Sequence, residues 1–282
     1  MKTGVVDVGG GLRGIYAAGI FDYCMDKGIQ FDICIGVSAG SANIASYLAG
    51  QRGRNYRFYS EYSFRKEYMS LRNFILKKSY IDMDYLYGTL SNSTGENPLN
   101  YQKIIENPAE MLVVASNAKT GEAKYFDKKD IKQDDYSILK ASCSIPFVCK
   151  PYEIEGVPYY DGALSDPIPI EKAFCCGCDK VVVILTKPEE FVRNPKRDEK
   201  FARRIQKKYP VSAEKLRQRA NQYNKELALL KKYREQGNVL IVSPIDTCGV
   251  DTLTRDQEAL KIFYENGYQD AGKISEFLNH DI

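Results

Sequence analysis

Histidine is the scarcest chemical resource of this chain: 282 residues contain one, His280, third from the end. That scarcity excludes metal sites built on several histidines. It also argues against a hydrolase triad that ends in a histidine base, because chain ends tend to fray. Long apolar runs are lacking too, and none approaches the roughly 18 residues that span a membrane. Met1-Lys2-Thr3-Gly4 leads straight into a strand-like segment, without the apolar core of a signal peptide. The expectation is a soluble, cytoplasmic protein. Eight cysteines are thinly spread over a large chain without a secretion signal, which suits reduced thiols better than a disulfide framework. Cys175-Cys176-Gly177-Cys178 offers a thiol cluster, but a structural zinc site wants four ligands in paired spacings, so no metal is expected. Repeats and low-complexity tracts are absent from the sequence.

What is present points to α/β architecture. The hydrophobic content of 44% can fill the core of one large domain, taken here as residues 1–282. Apolar runs at 4–8, 31–37, 111–115, 180–186 and 238–243 are rich in Val and Ile without polar alternation, as strands buried on both faces of a parallel sheet would be. Helix patterns at 15–27, 41–48, 137–143, 170–176 and 254–278 fall between them. This alternation predicts a three-layer α/β/α fold with a mainly parallel central sheet. Residues 50–110 break the rhythm with Tyr56, Arg57, Tyr59, Tyr62, Arg65, Tyr68 and Arg72. They read as an insertion that either forms a lid and pocket wall or packs on the core as an extra helical layer. The net charge of +3 hides a basic stretch at 187–235, with 16 Lys and Arg against 7 Asp and Glu. One or two polar helices are expected there, broken at Pro210, with Ser212 as the second N-cap. Leu216, Ala220, Tyr223, Leu227 and Leu230 would give that second helix one buried stripe.

Gly36-Val37-Ser38-Ala39-Gly40 lies between an apolar run and a helix pattern, the setting of a nucleophile elbow. Its glycines let the chain turn sharply and leave the serine hydroxyl exposed at a strand end. Gly9-Gly10-Gly11-Leu12-Arg13-Gly14 follows the first strand and formally matches the dinucleotide-binding pattern. That use would need an acidic residue at the end of the second strand, where this chain has the elbow; Asp32 stands at that strand's start. The alternative is an oxyanion hole. Unshielded N–H groups near Gly10 and Gly11, at a helix amino end, favour negative charge. With His280 set aside, the general base must be another group within hydrogen-bond reach of Ser38. A hairpin over 151–160, turning at Glu155-Gly156, delivers Asp161-Gly162-Ala163, a carboxylate held rigidly at a strand end.

In this order and spacing the three motifs resemble the patatin-like phospholipase family. Ala141-Ser142-Cys143-Ser144-Ile145-Pro146 is similar to that family's A-S-x-x-x-P segment, and Asp166-Pro167-Ile168-Pro169 resembles its bacterial branch. The likeness covers about residues 4–186, with Val8 standing where many relatives carry an acidic residue. It implies a serine lipid acyl hydrolase, phospholipase- or esterase-like, in which Ser38 is the nucleophile, Asp161 the general base and Gly9 to Gly14 the oxyanion loop. The implied substrate is an acyl-ester lipid, with no cofactor, no metal and no nucleic acid. A catalytically silent lipid-binding or interaction module, and a serine peptidase using the same dyad, are the alternatives. Arg13 is expected to brace the glycine loop, and Ser142 and Ser144 to act as helix-end hydrogen-bonders. With a lipid substrate, Arg203, Arg204, Lys207 and Lys208 of the basic stretch become candidates for peripheral contact with an anionic membrane. A solvated helix face is the other explanation.

Overall fold

A computed structural model describes residues 1–279. The chain opens with β1 (Thr3–Asp7), α1 (Ile15–Asp26), β2 (Ile33–Val37) and α2 (Ala39–Leu48). Residues 50–110 supply α3 (Arg54–Ser60), α4 (Leu71–Lys77) and α5 (Tyr101–Glu106), with a π-helical turn at Tyr85–Leu90. Next come β3 (Glu110–Asn117), β4 (Ala123–Phe126), α6 (Ser137–Ser142), β5 (Tyr152–Ile154), β6 (Val157–Asp161), α7 (Ile170–Cys175) and β7 (Lys180–Ile184). The last part holds α8 (Lys196–Ile205), α9 (Pro210–Glu235), β8 (Val239–Val242), α10 (Gln257–Asp270) and α11 (Lys273–Asn279).

The strands form one sheet in the order β5-β6-β3-β2-β1-β7-β8, with β4 also paired to β3. The five strands from β3 to β8 run parallel, and β4, β5 and β6 make the antiparallel part. Alternate strand residues face two cores. Val5, Cys34, Val113 and Val182 meet α1, α2 and α10 on one face, while Val6, Ile35, Val114 and Val183 meet α7 and α9 on the other. The sheet is thus sandwiched in three layers, as the uninterrupted apolar runs predict.

Strand register builds the site. β1 and β2 are parallel neighbours, so the glycine loop and the elbow leave the same sheet edge. Val37 pairs with Val114 on β3, and the next residue of β3, Ala115, pairs with Asp161 on β6. Asp161 therefore stands two strands from Ser38 at almost the same height. The hairpin that delivers it turns at Glu155 and Gly156, both with left-handed backbone (φ 50 and 77).

Two local expectations need correction, and one left open is decided. The second polar helix starts from Tyr209 with Pro210 in its first turn, where proline's missing N–H costs nothing. Ser212 is inside that helix and donates to the Ala118 carbonyl at 2.7 Å. The pattern at 254–278 splits into α10 and α11 around Ala271-Gly272. Tyr59, Tyr62 and Tyr68 are buried in the α1/α2 core, so the insertion's aromatic residues form a helical layer, and none of residues 50–110 lines the cavity described next. The predicted stripe of α9, from Leu216 to Leu230, is buried throughout. His280 lies outside the described residues.

Candidate active site

The glycine loop, the elbow and the end of β6 open into one cavity of about 270 Å³, lined by Gly9, Gly10, Gly11, Arg13, Ser38, Asp161 and Ala163. Ser38 has φ 57 and ψ −130, a backbone conformation that costs a side-chain-bearing residue about 1–3 kcal/mol. Its surroundings hold it there. The Ser38 N–H donates to Ser142 Oγ at 2.9 Å, and its carbonyl accepts from Ser41 Oγ at 2.6 Å. Close approach fixes the elbow glycines: a Cβ on Gly36 would lie 2.4 Å from Ser41 Cα, and one on Gly40 would lie 2.3 Å from the Asp7 carbonyl oxygen. Val37 is buried beneath the turn, and Ala39 opens α2.

Asp161 is buried, and its Oδ1 accepts from the Ala163 N–H at 2.9 Å across Gly162. Burial pushes its carboxyl above the usual range; the neighbouring Ser38 hydroxyl, the Ala163 N–H and the charges of Arg219 and Arg193 pull it back without cancelling the rise.

In the glycine loop Gly9, Gly10 and Gly11 all have left-handed φ (65, 133 and 64), and a Cβ on Gly9 would sit 2.2 Å from the Val37 carbonyl oxygen. Two of the loop's N–H groups are committed: Gly9 donates to Asp7 Oδ1 at 2.9 Å, and Leu12 to the Thr252 carbonyl at 3.0 Å. The Gly9 carbonyl accepts from Thr186 Oγ1. Arg13, buried beside the loop, donates to Asp251 Oδ1 and to Thr252 Oγ1 at 2.5 and 3.1 Å. Gly14 leads into α1 with the Tyr59 hydroxyl only 2.4 Å from where a Cβ would stand.

The rest of the cavity is mixed in character. Its lining joins apolar Ile145, Val148, Phe201 and Leu253 with the cations Lys187, Arg193, Arg197 and Arg219, and Arg197 lies over the Phe201 ring at 5.6 Å. Arg193 and Arg219 share buried Asp198, whose carboxyl they hold below the ordinary range against the opposing effect of burial. Lys187 lies 3.4 Å from the Phe191 ring centroid; burial, with repulsion from Arg13 and Arg193, brings its ammonium down to about 8. Of the basic residues assigned to membrane contact, Arg203 pairs with Glu199, and Arg204 lies over the Phe147 ring at 4.3 Å. Cys175 is exposed and Cys178 buried, and among the described residues no group of three or more metal-ligating side chains is assembled.

Sequence reasoning missed Asp7 and the work of Ser142. Asp7 is wholly buried and accepts from Gly9 N–H and from Asn43 Nδ2, each at 2.9 Å, tying the glycine loop to α2. Burial pushes its carboxyl up to about 6. The available signal was an acidic residue ending an otherwise apolar strand, which must find partners.

Comparison with known proteins bears on the family and the fold. The sequence profile described as "Patatin-like phospholipase" matches residues 8–174, and one described as "Domain of unknown function (DUF6363)" matches residues 209–280. Among curated proteins the chain is similar to "Uncharacterized protein YjjU" of Escherichia coli (strain K12), 28% identical over 196 residues, or 69% of this chain and 54% of that one. The chain thus spans about half the length of the curated relative it matches. Among solved structures, VipD from Legionella pneumophila shares the fold with a TM-score of 0.50 and 14% identity, over 99% of this chain and 67% of that chain. The profile match extends over more than half of the sequence and takes in the glycine loop, the elbow and Asp161, and on that ground the chain belongs to the patatin-like phospholipase family.

Proposed function

We propose that the protein hydrolyses acyl esters of lipids with Ser38 as nucleophile and Asp161 as general base. The observation that carries this reading is the buried Asp161 carboxyl, set by strand register at the height of Ser38 and lining the same cavity as Ser38 and the glycine loop. An ordinary carboxylate is a weak base toward a serine hydroxyl; burial raises the affinity of Asp161 for a proton and so narrows the gap. In acylation Ser38 Oγ attacks the ester carbon and its proton passes to Asp161. The oxyanion meets the N–H groups of Gly10 and Gly11, since those of Gly9 and Leu12 are already engaged. Protonated Asp161 then gives its proton to the departing alcohol oxygen. Water, deprotonated by Asp161, releases the fatty acid and restores Ser38.

An amphiphilic substrate suits a cavity lined by both apolar and cationic side chains: the acyl chain would take Ile145 and Val148, and an anionic head group Lys187 and Arg197. The same dyad on a peptide would leave Ile145, Val148 and Leu253 without a long chain to cover. A fluorophosphonate probe should label Ser38, with labelling lost in Ser38→Ala, and acyl esters should be cleaved in preference to peptides. A protein that resists the probe is a silent binding module, and preferential cleavage of peptides would make it a peptidase.

A further inference from the structure

Helix α4 is amphipathic in reverse. Its inward residue is Asn73, whose Nδ2 donates to the carbonyls of Glu67 and Tyr68 at 2.9 and 3.4 Å. Leu71, Phe74, Ile75 and Leu76 are 73, 41, 76 and 67% exposed. They are four of the ten exposed large hydrophobics among the described residues, and no other element carries more than one. A helix facing water is expected to turn its apolar residues inward, and a concentrated exposed patch marks an interaction surface.

The helix is firmly seated. Ser70 caps it, accepting from the Asn73 N–H at 3.2 Å. The strand bridge Met69↔Ile81 closes its base. The Tyr80 N–H donates to the Val148 carbonyl at 2.8 Å, and the Lys150 N–H to Ser79 Oγ at 3.1 Å. These bonds fix α4 on the 145–150 segment, whose Ile145 and Val148 line the Ser38 cavity. Ring contacts link the helix to that cavity: the Phe74 ring lies 6.4 Å from Phe147, which stacks at 5.1 Å on the cavity residue Phe201.

Charge selects the occupant. Arg72 and Lys78 are exposed on and just after the helix, Lys77 pairs with Asp82, and Arg204 covers Phe147. A second copy of this chain meeting the patch by two-fold symmetry would bring these cations together, and like charges across an interface are unfavourable. A bilayer with anionic head groups presents apolar chains to the leucines and isoleucine and negative charge to the rim.

We propose that α4 is a membrane-docking element: Leu71, Ile75 and Leu76 enter the acyl region of an anionic phospholipid bilayer, Arg72 and Lys78 meet its head groups, and the mouth of the Ser38 cavity is thereby set on the bilayer. The inference rests on the lipid-hydrolase reading for its purpose, but its test does not depend on catalysis. The chain has no tryptophan, so Ile75→Trp places a lone indole reporter on the helix. Vesicles of ether-linked phosphatidylglycerol, which carry no acyl ester, should shift its emission to the blue and sediment the protein. Leu71→Ser/Ile75→Ser/Leu76→Ser should weaken sedimentation at least about tenfold. The same triple variant should keep hydrolysis of a soluble short-chain ester and lose it on vesicle lipid. Equal sedimentation of wild type and triple variant would overturn the proposal. So would unshifted emission at saturating lipid, or a blue shift that grows with protein concentration in lipid-free buffer, the sign of a second copy. Absence of ester hydrolysis in every variant, with vesicle binding intact, would sink the hydrolase reading and leave the docking element standing.

Discussion

Replacing Asp7 by Asn should flatten one component of the protein's pH-dependent stability. The Asp7 carboxyl is buried beneath the glycine loop with two donors, Gly9 N–H and Asn43 Nδ2, and burial outweighs both, raising it from 3.8 to about 6. A folded state that holds its proton more tightly than the unfolded chain is favoured where only the former is protonated. Stability from this group is therefore highest below about pH 4 and declines as pH rises through about 6. A rise of about two pKa units corresponds to about 3 kcal/mol over that window. Asn keeps the shape and the acceptor for Gly9 but cannot ionise; it also sets an amide against Asn43, a pH-independent cost of about 1–3 kcal/mol. Urea unfolding of wild type and Asp7→Asn at pH 4, 5, 6 and 7 gives the difference, in which all other titrating groups cancel. Wild type should be the more stable at pH 4, with its advantage shrinking by about 3 kcal/mol toward pH 7. A difference that stays constant across that range refutes the reasoning.

Two further substitutions test packing and burial. A Cβ on Gly267 of α10 would lie 2.0 Å from the Tyr16 carbonyl oxygen on α1, so Gly267→Ala should lower Tm by about 5 °C in calorimetry; an unchanged Tm would show that these helices can separate freely. Glu226 accepts from the Ile168 N–H at 2.8 Å, and burial with nearby Asp166 pushes its carboxyl up to about 8. Glu226→Ala should cost about 1–3 kcal/mol at pH 7 in guanidinium unfolding. Glu226→Gln keeps the acceptor and should gain on wild type as pH rises from about 4.5 to about 8, because over that range the unfolded wild-type carboxyl ionises while the buried one holds its proton; equal effects of Ala and Gln would contradict this.

Much of the architecture was legible because parallel strands buried on both faces are written as plain Val/Ile runs, and because glycines under steric compulsion stay visible as motifs. Gly9 and Gly36 each face backbone where a Cβ would stand. The register that brings Asp161 beside Ser38 was not legible, since it depends on β3 pairing parallel to β2 and antiparallel to β6. Asp7 was hidden because its partners, Gly9 and Asn43, are set by the crossing of the glycine loop over α2. The cationic lining of the cavity was hidden within a run of charge: Arg193 and Arg219 come together only because Asp198 is buried between them. The insertion misled in part because Tyr and Arg suit a lid as well as a core; burial of Tyr59 and Tyr62 decides for the core, while α4, with its outward Leu and Ile, departs from it.

The central claim is that Ser38 and Asp161 act together in one step. Steady-state hydrolysis of a lipid acyl ester by wild type, Ser38→Ala, Asp161→Asn and the double variant tests it most directly. Each single substitution should lower kcat/KM by at least about 10³-fold with the fold intact, and the double variant should lose little more than the worse single one. Substantial activity in either single variant, or losses that multiply, would mean that the two residues do not form a catalytic pair.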